Sequence, residues 1–473
     1  MRQLRWMSVA LGLAALAVGA AIGQTNTSTN TGTNQTNQNN LVSAFAPAGV
    51  MVSPEGVLRV RQFTDRTGEL TRARVAEAKA RLPGDLAKGS PLRKISLPRL
   101  EKAIAEQLAA GKELTEEMKN LAGLTRLQYV FYYPQTKDIV IAGPAEGYYT
   151  DFAGRPVGIV SGRAVVELQD LVAALRAFPP GGKPTQVIAV SIDPTPEGLA
   201  RLQRFLASSA SRVQAGNSVA SIVEGMKREL GLHQVSITGV SPRTHFAQVL
   251  VEADYRMKLI GIGLEPPPVR MATYIDKASP AEGSRNALQR WFFVPNYDCV
   301  RVADDDLAME LVGQGVKLVG EGELVAATGQ RTSGSGQSKA SALFCQAFTA
   351  NYPQIAARNP VYAQLKNLID LAIAAAFIQK QDYYGQAGWK MELLGDERQL
   401  AIEVFEAPRS VETACNAVWK GSHLMTPVGG GVQVEPLRAI DPQTRLPDEK
   451  GSVKQAYQSV RLEDLPATRW WWD

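Results

Sequence analysis

The stretch Val190–Leu199, VSIDPTPEGL, constrains the fold more than any other part of this chain. An apolar run stops at Asp193, two prolines frame Thr195, and the amphipathic segment GLARLQRFLASSASRV follows. Proline interrupts a central strand but suits the first turn of a helix, and threonine suits the N-cap. The pattern predicts a strand over Gln186–Ile192, then a helix with Thr195 as N-cap and Pro196 at its first position. The same order recurs at Val235–Ile237, where SPRT (Ser241–Thr244) leads into HFAQVLVEADYRMKLI. Between them, Ala220–Leu230 reads as a helix ending at Gly231. Strands alternating with helices favour βαβ units, which places the two strands side by side in one mixed sheet.

Elsewhere the texture varies. Ser96-Leu97-Pro98 opens a capped helix that stops at Gly111, and Leu114–Glu117 opens another. Leu127–Pro134 and Asp138–Gly143 read as a hairpin, and Leu168–Phe178 as an amphipathic helix. Arg290–Pro295, Cys299–Val302 and Val316–Gly320 read as short antiparallel strands. Lys339–Ala357 and Val361–Gln381 predict an αα-hairpin, while Met391–Phe405 and Leu424–Val434 look β-like. The fold class is α+β: a mixed sheet with βαβ units and flanking helices, then a smaller antiparallel β region with the αα-hairpin. Composition divides the chain into a signal peptide (1–23), an Asn/Thr-rich linker (24–45), a helical N-terminal region (46–125), an α/β domain (126–268), an α+β domain (269–440) and an extended C-terminal tail (441–473).

The leader has Arg2 and Arg5 before an apolar run, Trp6–Ile22, and small residues at Ala21 and Gly23. That is the layout of a secretory signal peptide cleaved after Gly23. The alternative, an uncleaved anchor, is decided by N-terminal sequencing of secreted material. Gln24–Asn40 has nothing to bury and reads as a disordered tether, with sequons at Asn26 and Asn34. The apolar segment Leu368–Ile378 is shorter than the roughly 20 residues a membrane span needs and reads as a buried helix. The expectation is therefore an exported protein, periplasmic, cell-surface or extracellular, with no transmembrane span in the mature chain. The net charge of +5, falling to +3 without Arg2 and Arg5, is dispersed and does not indicate nucleic acid. Three cysteines, Cys299, Cys345 and Cys415, allow at most one internal disulfide.

Four strings, IVIAGPAEG (Ile139–Gly147), SIDPTPEGLARLQRFL (Ser191–Leu206), EADYRMKLIGIGLE (Glu252–Glu265) and TPVGGGVQ (Thr426–Gln433), resemble a family of secreted planctomycete proteins carrying a domain of unknown function. The resemblance implies export and a shared fold. It carries no activity and assigns no residue a role.

Chemistry is sparse. The histidines are His233, His245 and His423, with no HExxH, Cys-x-x-Cys or G-x-S-x-G. Asp304–Asp306 lacks the spacing of a calcium loop and reads as a cap. No metal and no cofactor is expected. Gly429–Gly431 reads as a bulge or close backbone approach rather than a phosphate cradle. The catalytic candidates are Asp193, His245 and Asp254, provided they converge at a sheet edge where α/β proteins bind ligands. Asp193 has a competing local role beside a helix N-terminus. The Trp470–Trp472 tail is costly if left bare, so it docks on its own domain or on an envelope protein or glycan. The leading expectation is a non-catalytic envelope or extracellular binding or structural component. The alternative is a metal-independent hydrolase built on Asp193, His245 and Asp254.

Overall fold

In the computed structural model, Thr195 caps the predicted helix: its Oγ1 accepts from Gly198 N at 3.0 Å, and the helix runs Pro196–Ser209. The preceding strand, Ile188–Asp193, alternates buried and half-buried positions, as expected where one face packs on a core. The structure describes residues 49–473, apart from 62–64, 66, 210–218, 280–286, 327, 329, 334–336, 420–422, 460–461, 463–464 and 467. The leader and the Asn/Thr tract with Asn26 and Asn34 lie outside the described residues.

The class is α+β with mixed sheets, as the sequence implies. A ten-stranded sheet places Ile188–Asp193 between His233–Thr238 and His423–Val434, followed by Ala287–Pro295 and Val316–Val325. The strands at 188–193 and 233–238 are neighbours, but they run antiparallel, Val190 opposite Ile237, rather than in the parallel sense of a βαβ unit. Two helices, Pro196–Ser209 and Val219–Leu230, lie between them in sequence and pack on each other, so the chain returns in the opposite direction. Parallel pairing appears instead between Ala287–Pro295 and His423–Val434. A seven-stranded sheet contains the predicted hairpin, Tyr129–Tyr133 with Asp138–Ala145. Seven of the eight residues in Asp138–Ala145 are buried, so this strand is covered on both faces.

The αα-hairpin is present as Lys339–Arg358 and Pro360–Lys380. The second helix is long and apolar enough on average to cross a membrane, although it carries Lys366 and Asp370. It is nonetheless 89% buried, against the helices Leu168–Ala177, His245–Gly261 and Lys339–Arg358. It is the centre of the core.

Sheet pairing crosses the boundaries drawn after residues 125, 268 and 440. Ser90–Ser96 pairs with Asp138–Ala145, Ile188–Asp193 with His423–Val434, and Trp471–Trp472 with Ser90–Ser96. The described residues accordingly belong to one compact unit, Asn40–Asp473. Met391–Phe405 is not a strand. Side chains take several of its backbone donors: the distant Glu101 accepts from Leu393 N and Leu394 N, and Glu397, within the segment, accepts from Ile402 N and Glu403 N. The three cysteines are buried free thiols, each pushed up to about 12 by burial.

Gly429–Gly431 is a close approach of backbones. A Cβ on Gly430 would lie 2.0 Å from Trp291 O, and one on Gly431 1.7 Å from Val190 O. Gly430 also has φ +114°, a conformation open to glycine.

Candidate functional site

The three residues singled out in the sequence fall into two clusters on the inner side of the large sheet. Asp193 ends its strand and turns away from the helix that follows. Its carboxylate accepts from Arg290 Nε (3.2 Å) and Nη2 (3.0 Å), from Gly430 N (3.3 Å) and from the Ser191 hydroxyl, and it pairs with Arg331 Nη1 at 3.1 Å. Burial pushes this carboxyl up, but Arg290 and Ser191 outweigh it and hold the group below the usual carboxylate range. Asp193 thus ties the 188–193 strand to the 287–295 and 423–434 strands through Arg290 and Gly430.

Behind it, Asp254 and Lys258 lie one turn apart on the helix His245–Gly261, both fully buried, with Nζ 2.5 Å from Oδ2. Lys258 also donates to Ile192 O (3.2 Å) and Gly430 O (3.0 Å). Burial pushes the Asp254 carboxyl up to about 6 against the opposing pull of Lys258, and pushes the Lys258 ammonium down. His233 is fully buried, and neither ring nitrogen has a hydrogen-bond partner; burial and the Lys258 charge push it down to about 3, so it stays neutral. Asp193 and Asp254 therefore do come together, with Lys258 between their regions.

His245 does not join them. It opens the same helix, nine residues before Asp254, about 13 Å along the axis. Thr244 caps that helix, accepting from Ala247 N at 3.2 Å, and this fixes the ring at the first turn. His245 Nδ1 is 2.9 and 3.0 Å from the two Asp170 oxygens, and Nε2 is 3.7 Å from Glu167 Oε1. Glu167 accepts from Gln169 Nε2 (2.7 Å) and Gln364 Nε2 (3.3 Å). Gln364 Oε1 accepts from Arg155 Nε (2.7 Å), and Arg155 pairs with Glu252. Glu252 then meets Arg256, which binds the more accessible Glu265 at 2.6 Å. Burial lowers the affinity of His245 for a proton, but Asp170 and Glu167 outweigh it and raise the imidazole to about 9. Burial raises the Glu167 carboxyl to about 7.

One ligand atom each from Glu167, Asp170 and His245 lies within 4.8 Å of the others, which is the donor set of a borderline divalent cation. Asp170 occupies Nδ1, so a metal would have to sit at Nε2 with Glu167, Asp170 serving as the outer carboxylate that orients the ring. Without a metal, Asp170 holds Nδ1 while the buried Nε2 has no hydrogen-bond partner among the described residues, 3.7 Å from Glu167 Oε1.

The raised imidazole has a stability signature. His245 binds its proton more tightly folded, at about 9, than unfolded, near 6.5. Its contribution is fully present below pH 6.5 and is lost as pH rises through 9. Urea unfolding should show stability falling by roughly 3 kcal/mol across that window. Asp170→Asn, which removes the stronger charge partner, should flatten the slope. An identical slope in that variant would refute the assignment.

A different surface is open. The helix Glu69–Arg81 buries none of its residues and stands over a cleft of about 630 Å³. Arg74, Glu77 and Arg81 line it from the helix, facing Glu116, Tyr148 and Tyr149.

Residues 190–274 match the family described as a protein of unknown function, DUF1598. That span carries Asp193, His233, His245, Asp254 and Lys258. Their partners Glu167, Asp170, Arg290 and Arg331 come from outside it. No curated protein and no solved structure matches the chain.

Sequence reasoning missed Lys258, although Asp254 and Lys258 show i, i+4 spacing on an otherwise apolar helix, as do Glu252 and Arg256. It also missed Glu167 and Asp170, two acids at the start of a helix that read locally as cap residues. Arg290, Arg331 and Arg155 carry no local signal.

Proposed function

We propose that this protein is a non-catalytic binding or structural component of the cell envelope or extracellular space, and that the cleft beneath Glu69–Arg81 holds its ligand. The observation that carries this reading is a contrast in access. His245, Asp254 and Lys258 are buried and Asp193 is held by Arg290 and Arg331, whereas the open concavity sets the half-buried Tyr149 among arginines and glutamates. Tyrosine faces with charged hydrogen-bonding neighbours suit a glycan. A helix with no buried face can shift to close over such a ligand. The N-terminal Arg2, Arg5 and Trp6–Ile22 pattern supports export. A hydrolase built on Asp193, His245 and Asp254 draws no support from this geometry, because His245 is remote from the other two.

The test pairs two measurements on the full chain. Binding to immobilised cell-wall oligosaccharides should fall at least tenfold in Tyr149→Ala. Turnover of nitrophenyl esters, phosphates and glycosides should be no greater in wild type than in Asp193→Asn. Turnover that Asp193→Asn abolishes would overturn the binding reading in favour of the hydrolase.

A further inference from the structure

A second, smaller pocket of about 140 Å³ shares no lining residue with the cleft. Its wall carries three cations, Arg126, Arg163 and Lys366. The pairs of Arg126 and Lys366 both end on one carboxylate oxygen: Asp370 Oδ2 lies 4.0 Å from Arg126 Nε and 2.7 Å from Lys366 Nζ. Arg163 is exposed and makes no ion pair among the described residues. Three positive charges therefore share one negative charge at a partly enclosed site; the Arg126 and Lys366 side chains are 23% and 15% exposed.

Arg126 and Lys366 are costly to enclose on one shared carboxylate, since partly buried charge is stabilised by a partner of opposite sign. Arg126 shows the deficit directly. Its Nη2 donates to Leu311 O (2.7 Å) and Gly313 O (3.2 Å), but its buried Nε has no hydrogen-bond partner. Burial also pushes the Lys366 ammonium down. Space is kept around that ammonium, because Gly315, at φ +70°, has no side chain where a Cβ would sit 3.1 Å from Lys366 Nζ. The rest of the wall includes the apolar groups of Tyr352, Pro353 and Ala356.

We infer that this pocket binds a small carboxylate, with its head on Arg163 and Lys366 and its short apolar body against Tyr352, Pro353 and Ala356. At about 30 Å³ per water the pocket of about 140 Å³ has room for about five waters, which matches a short-chain acid. A guanidinium and an ammonium together give the head charge-assisted hydrogen bonds, and the aliphatic body replaces water on the apolar wall.

The test is calorimetric titration of the full chain at low ionic strength with butyrate, 1-butanol and inorganic phosphate. Butyrate should bind with a Kd on the order of 1 mM, the range open to a ligand of about six heavy atoms. Butanol should give no binding heat, and phosphate should bind more weakly than butyrate. Arg163→Ala, whose side chain has no ion pair to lose, should weaken butyrate at least fivefold with an unchanged melting temperature. Lys366→Met should abolish binding. The inference fails if butyrate gives no heat up to about 50 mM, well above that range, or if Arg163→Ala binds as wild type does. It fails equally if butanol matches butyrate or phosphate binds more tightly. None of these outcomes bears on the glycan cleft, which is read by Tyr149→Ala.

Discussion

Deletion of Arg469–Asp473 is expected to remove more than about 5 kcal/mol of stability, a large share of what a folded protein has. Trp470, Trp471 and Trp472 are each only 5–7% exposed. Trp471 and Trp472 extend the seven-stranded sheet, opposite Ile95 and Lys94, and Ser96 N donates to Trp470 O at 2.9 Å. A buried tryptophan truncated to alanine costs about 3–5 kcal/mol, and three lie here, although the site will partly collapse. The deletion also strands Arg93, which is fully buried. Arg93 donates to both Asp473 carboxylate oxygens (2.8 and 3.1 Å) and to the carbonyls of Ala122, Asp85 and Lys88, and its guanidinium lies 4.5 Å from the Trp471 ring centre. Asp473→Asn isolates the charge term and should cost about 1–3 kcal/mol, as expected for a lost charged hydrogen bond. Urea denaturation of the three proteins measures both. A deletion mutant with an unchanged midpoint but lost association with envelope material would mean that the tail serves a partner instead of the sheet.

What was legible in the sequence was local. The Thr195 cap, the Pro196 start, the hairpin around Gln135–Lys137 and the two long helices each follow from residues within a few positions of one another. What was not legible depends on distant closure. Strand direction at 233–238 is set by how two intervening helices return the chain, which no periodicity in either strand encodes. Asp193 looked like a turn residue because Thr195 and Pro196 stand beside it. Its true partners, Arg290 and Arg331, lie about a hundred or more positions away, and both sit in segments whose local patterns signal only strand or loop. Met391–Phe405 has strand composition but satisfies its backbone through Glu101 and Glu397, so composition misled there. The Asp254–Lys258 pair was readable: a lysine one turn after an aspartate on an apolar helix is a buried ion pair unless that face reaches water.

That pair yields the second large effect. Lys258→Met is expected to destabilise the protein by about 3–5 kcal/mol, because it leaves Asp254 uncompensated in the core and also removes the donor to Ile192 O and Gly430 O. The loss should depend on pH in a definite sense. Burial already holds the Asp254 carboxyl at about 6, above its usual value, and removing the ammonium that opposes burial raises it further. An acid whose folded pKa is raised contributes fully when protonated at low pH, and that contribution is lost as pH climbs through the folded value. Lys258→Met should therefore be less damaging at pH 5 than at pH 8. Adding Asp254→Leu to it should recover part of the loss, since an apolar pair leaves no buried charge unpaired. A double-mutant cycle from urea unfolding at both pH values reads the coupling directly. If the two substitutions are additive and Lys258→Met costs the same at pH 5 and pH 8, Lys258 and Asp254 are not an ionised pair in the folded protein, and the account of the Asp193–Lys258–Asp254 cluster given above is wrong.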